Sequence, residues 1–131
     1  MTQVHHIIVA FGSNNNWREN KPLAIRLARS LVATPVFTST VRSKDVCGGK
    51  KVYSNILMEA FTELPLKVLS DHLKHIESIC GDTAELRAQG VVNLDLDLLL
   101  FDDRRLHKTD WERPYIKTLF QELNERKEHR I

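Results

Sequence analysis

The stretch from Val92 to Phe101 constrains the fold more than any other part of the chain. After Val92 it reads Asn93-Leu94-Asp95-Leu96-Asp97-Leu98, a strict alternation of leucine with polar residues. Successive side chains of a strand point to opposite faces of a sheet. The pattern therefore predicts a strand with Leu94, Leu96, Leu98 and Leu100 on one face, under helices, and Asn93, Asp95 and Asp97 on the other. Aspartate disfavours strands. Two carboxylates on one face lie about 6–7 Å apart at the backbone, and like charges that close repel unless a counterion sits between them. Carboxylate oxygens suit hard cations, and magnesium takes one or two of them together with substrate phosphates and waters. Two such ions can clamp the oxygens of a phosphoryl displacement. Asp95 and Asp97 are thus the candidate metal-ligating and catalytic residues.

The remaining segments supply the partners this strand needs. Val4 to Phe11 is an apolar run that ends in Gly12, Ser13 and three asparagines, which predicts a buried strand and a turn. Trp17 to Leu31 has Ala24, Leu27, Ala28 and Leu31 at helical spacing, with Pro22 expected in the first turn after a polar cap. Pro35 to Val41 alternates with β-branched residues and predicts a strand. Lys44 to Lys51 is a loop, and Val52 to Phe61 a strand antiparallel to the one before it. Leu66, Leu69, Leu73, Ile76 and Cys80 mark a helix opened by Pro65 and stopped at Gly81. Asp82 to Val91 is expected to be a polar loop. Tyr115, Leu119 and Leu123 support a terminal helix, and the mixed charges of Asn124 to Arg130 its solvated end. The order strand, helix, strand, strand, helix, strand, helix is the split βαβ plan, an α+β fold with an antiparallel sheet.

With 131 residues the chain has the length of one ordinary domain, residues 1–131, large enough to bury a core without metals or disulfides. A net charge of +2 from dispersed Lys and Arg argues against nucleic acid as a partner. No stretch reaches the roughly 20 apolar residues that cross a bilayer, and the N-terminus lacks a signal-peptide pattern. A cytoplasmic monomer away from membranes is expected. Cys47 and Cys80 lack metal-ligand spacing and read as ordinary thiols.

A second cluster lies on the strand that starts at Val52. Tyr53 and Asn55 share a face, and an aromatic ring beside an amide suits a flat heterocycle, one stacking and the other bonding its edge. Taken together, Ala10-Phe11-Gly12-Ser13-Asn14, Val52-Tyr53-Ser54-Asn55, Ile76-Glu77 and Leu94-Asp95-Leu96-Asp97-Leu98-Leu99-Leu100-Phe101 resemble the 6-hydroxymethyl-7,8-dihydropterin pyrophosphokinase family of folate synthesis. The resemblance covers roughly residues 4 to 108 and returns around Arg113-Pro114-Tyr115.

The resemblance implies a ferredoxin-like fold and transfer of diphosphate from ATP to a pterin hydroxymethyl group, with two magnesium ions. It also implies that Asp95 and Asp97 hold the metals and that Tyr53, Asn55 and Tyr115 contact the pterin. Glu77 would lie on the adenine side, with Arg87 and Arg113 as candidate ATP contacts. The loop before the Asp-Leu-Asp strand departs from the family: Asp82 and Val92 stand where its members carry arginines toward the ATP phosphates. An alternative reading is a pterin- or nucleotide-binding protein of the same fold with impaired catalysis.

Overall fold

The computed structural model of the protein describes residues 3–45 and 47–128, apart from the side chains of 127 and 128. Residues 129 and 130, part of the expected solvated helix end, lie outside the described residues. The strands are β1 (His5–Ser13), β2 (Ala33–Phe37), β3 (Val41–Lys44), β4 (Val52–Thr62), β5 (Asp95–Phe101) and β6 (Arg104–Arg105). The helices are α1 (Trp17–Arg29), α2 (Leu66–Ile79), α3 (Ala84–Ala88), α4 (Lys108–Trp111) and α5 (Pro114–Glu128).

The sheet runs β2-β4-β1-β5-β6, with β3 also paired to β4, and its strand pairs are antiparallel. This is the ferredoxin-like arrangement, with a further helix at the C-terminal end. β1 sits between β4 and β5, so its apolar run is buried on both faces. Ile7, Val9 and Phe11 pack with α1 and α2 through Ala24, Ala28, Leu69, Leu73 and Ile76. On the opposite face Ile8 joins Leu57, Leu99, Trp111, Ile116, Leu119 and Leu123, which brings in α4 and α5. No helix among the described residues is long and apolar enough to cross a membrane.

Several local expectations are corrected. The strand read over Pro35 to Val41 is two strands: the Thr38 N–H still donates to the Leu57 carbonyl at 3.0 Å, but the Leu57 N–H goes to the Thr38 hydroxyl at 2.9 Å instead of to a backbone carbonyl. Pro22 lies in the second turn of α1, not the first. Its side of the helix is exposed, so the carbonyl left without an N–H partner faces water. The polar loop at Asp82 to Val91 contains α3, capped by the Thr83 hydroxyl, which accepts the Leu86 N–H at 3.1 Å.

The β5 alternation also breaks. Ile8 pairs with Leu100 but Val9 pairs with Leu98, so Leu99 is an extra residue in the ladder. Such a bulge shifts the following side chains to the other face. Leu94, Leu96 and Leu98 pack under α1 and α2 as expected, whereas Leu100 packs on the α5 side. β5 itself begins only at Asp95. Asn93 is buried before it, and its amide donates to the carbonyls of Cys80 at 3.2 Å and Gly81 at 3.1 Å. It braces the end of α2 and does not join the two aspartates on their face.

Candidate functional site

The face of the sheet under α5 changes character along each central strand. On β1 the sequence Ile8, Ala10, Gly12 runs from core to open floor. On β4 it is Leu57, Asn55, Tyr53, and on β5 Leu99, Asp97, Asp95. The register places Gly12 directly between Asn55 and Asp95, and Ala10 beside Asp97. The small residues on β1 leave a cavity of about 170 Å³ between the flanking strands. Tyr53, Asn55, Asp95, Asp97 and Tyr115 all line it, so the structure brings five sequence-predicted residues into one cavity.

Asn55 is fixed. Its side-chain N–H groups donate to the Val41 carbonyl at 3.0 Å and to the Ser43 hydroxyl at 2.9 Å, which tie it to β3. Its Oδ1 lies over Gly12, 3.4 Å from where a Cβ would stand. Tyr115 enters from the first turn of α5, where Pro114 supplies a pre-set helical φ. Burial, then the Asp110 charge, raises its phenol pKa; burial, then Asp45 and Asp95, does the same for Tyr53. Both phenols therefore stay neutral at physiological pH.

Asp97 is the most perturbed carboxylate. Burial comes first, followed by the Asp95 charge, a hydrogen bond with Asp95, and the charges of Asp110 and Glu77; together they push its pKa up to about 8. Asp110 is a cavity residue that sequence reasoning missed. It lies on α4, a segment with no periodic signal, and α4 is held in place by the buried Trp111 indole, which donates to the carbonyls of Leu99 and Leu106 at 3.1 Å each. Gly12, Ser43, Lys44, Asp45 and Cys47 also line the cavity. Cys47 is exposed and Cys80 buried, both as free thiols.

Glu77 and Arg87 stand beside the cavity. Glu77 accepts the Leu96 N–H at 2.7 Å; burial raises its pKa against that hydrogen bond. Arg87 donates from Nε to Asp82 at 2.6 Å and from Nη2 to Asp95 and to the Leu94 carbonyl, each at 3.2 Å. Arg113 lines a separate groove next to Tyr115 and pairs with Asp110 at 3.7 Å; its Nε is buried and has no hydrogen-bond partner among the described residues.

The donor set consists of hard oxygens with an excess of negative charge, which fits a divalent cation such as magnesium. Among the described residues no three His, Cys, Asp or Glu side chains form a cage for an ion. Magnesium commonly takes one or two carboxylates and completes its shell with phosphate and water oxygens.

A comparison with protein families matches residues 8–125 to 7,8-dihydro-6-hydroxymethylpterin-pyrophosphokinase (HPPK). A comparison with curated proteins finds no match. The match spans nearly the whole chain, from β1 into α5, and includes every strand and side chain that forms the cavity: the protein belongs to the HPPK family of folate biosynthesis.

Proposed function

We propose that the protein transfers a diphosphate from ATP to the hydroxymethyl oxygen of 6-hydroxymethyl-7,8-dihydropterin, with magnesium held at Asp95 and Asp97. The observation that carries this reading is the row Asn55–Gly12–Asp95, which sets a rigid amide and two tyrosines beside a carboxylate pair across a bare floor. The pterin ring lies between Tyr53 and Tyr115, its edge read by Asn55. Its hydroxymethyl group then points along the floor toward Asp95 and Asp97.

In the transfer, a bond forms between the hydroxymethyl oxygen and the β-phosphorus of ATP. The bond from that phosphorus to the α–β bridging oxygen breaks, AMP leaves, and the hydroxyl proton passes to solvent. Bound magnesium supplies charge neutralisation on the transferring group. The chain's own part is to hold acceptor and donor in line, since positioning and electrostatics dominate phosphoryl transfer. Arg87 and Arg113 are the cations nearest the phosphates in this reading, and Glu77 borders the adenine.

A second reading is a binder of the same ligands with little turnover. It is favoured by Asp82, an acid where the family carries an arginine, and by the engagement of Arg87 with carboxylates. Incubation with ATP, magnesium and the hydroxymethyl dihydropterin separates the two. The enzyme reading expects AMP and pterin diphosphate in equal amounts, with both lost in Asp95→Ala and Asp97→Ala. Pterin binding without AMP supports the binder, and binding of neither ligand sinks both.

A further inference from the structure

Arg87, a candidate ATP contact from the resemblance, is carried by a short helix in a stretch that the sequence reads as loop. It sits on α3, between two glycines with left-handed backbone, Gly81 at φ 84° and Gly90 at φ 77°. Gly81 ends α2 in a Schellman turn: its N–H donates to Ser78 at 2.9 Å and the Asp82 N–H to Glu77 at 3.1 Å. That turn delivers Asp82 beside the start of β5. The Asp82 side chain is only 7% exposed, and its Oδ1 has no hydrogen-bond partner among the described residues. Arg87 is its ion-pair partner. Burial opposes the charge on Arg87, but its bonds to Asp82 and the charges of Asp95 and Asp82 outweigh that and keep it protonated.

The guanidinium thus has two ends with different surroundings. Nε is fixed on a buried acid. Nη2 reaches the Asp95 carboxylate and the Leu94 carbonyl, each at 3.2 Å, and approaches Glu77 at 3.8 Å. Releasing Asp82 leaves a buried charge without a partner, which is costly. Releasing Asp95 is cheap, because that carboxylate is about one-third exposed and has the cavity on its other side.

We propose that Arg87 is a tethered counterion: it neutralises Asp95 while the site is empty, is displaced from Asp95 by the divalent cation, and turns on its Asp82 anchor to meet the phosphates that arrive with that cation. The inference rests on the reading of Asp95 as a cation ligand. It makes Asp82 a positioning residue, one that acts through Arg87 and touches no ligand. An acid at position 82 then serves the site in place of a cation, by holding a different arginine near the same phosphates.

The test uses the whole chain and manganese(II) alone, an ion that favours the same oxygen ligands as magnesium. Free manganese is read by electron paramagnetic resonance, and ATP binding at saturating ion by equilibrium dialysis. Arg87→Ala is expected to bind the ion about tenfold more tightly, because a competing cation a few ångströms away is gone, yet to bind ATP about tenfold more weakly. A merely structural role moves both affinities the same way. Asp82→Asn frees an unneutralised guanidinium toward Asp95 and is expected to weaken ion binding. Arg87→Lys keeps the charge without the planar fork and falls between wild type and Arg87→Ala; it serves if the alanine variant does not fold. Unchanged or weaker ion binding in the Arg87 variants, with wild type still binding through Asp95, overturns the counterion proposal alone. Equal ion binding by wild type and Asp95→Asn overturns the reading of Asp95 and the proposal with it.

Discussion

Asp97 is a partly buried carboxylate that the proposed function makes a cation ligand, and its burial beside Asp95 has a consequence for the fold. Its pKa stands at about 8 in the folded chain, against an ordinary carboxylate value of 3.8. The folded state therefore holds a proton that the unfolded state releases. The sign follows from linkage: stability from this group is full below about pH 4 and is lost as pH rises toward about 8. Without divalent ions, thermal midpoints at constant ionic strength are expected to fall across that window, and Asp97→Asn to flatten the fall. A variant that keeps the wild-type slope contradicts the assignment. The aspartates were legible in the sequence because alternation fixes their face. So were Tyr53, Asn55 and Tyr115, which line the same cavity. Asp110 was not, because it comes from a four-residue helix with no periodic signal, and the helix that carries Arg87 lies in a stretch whose composition reads as loop.

At the scale of elements, the sequence was most readable where apolar periodicity is long. β1, α2, β4 and α5 stand where leucine, isoleucine and alanine spacing puts them. It was least readable where one tertiary contact decides. No local signal marks Leu99 as the bulged residue of β5, since every residue from Leu98 to Phe101 is apolar. Nor does composition tell that the Thr38 hydroxyl will take the Leu57 N–H in place of a backbone carbonyl. The end of α2 is the opposite case, because Gly81 was visible as a stop. Its φ of 84° disfavours any side chain, and a Cβ there meets the Asn93 Nδ2 at 3.0 Å. Gly81→Ala is expected to cost about 1–2 kcal/mol of stability in urea unfolding. The same change shifts Asp82 and lowers the affinity for ATP, whereas an equal loss of stability with unchanged ATP binding argues that the turn serves the fold alone.

The whole molecule is a sheet with an apolar core on each face, and the site occupies one end of the second core. α5 covers that core up to Tyr115 and Ile116, where the covering stops and the cavity opens. Ligand binding and global stability are therefore linked, as any ligand specific to the folded state stabilises it by mass action. Magnesium, ATP and the pterin together at a hundredfold excess over their dissociation constants are expected to add about 2.7 kcal/mol per saturated site. Differential scanning calorimetry should record this as a higher midpoint for wild type, with a smaller gain for Asp95→Asn. A gain of equal size in that variant places the ligands elsewhere.

The bare position on β1 has one further consequence. Asn55 and Asp95 are both hydrogen-bonded neighbours of the same strand, so their backbones lie two strand spacings apart, about 9–10 Å. That interval is a gauge cut by the peptide ladder, independent of any side chain. Substitutions can change what is recognised at either end of it. The distance between the ends changes only when a strand slips its register, in steps that turn every residue over. Under the proposed function, an acceptor one bond longer or shorter than the pterin would meet the same fixed interval between Asn55 and Asp95.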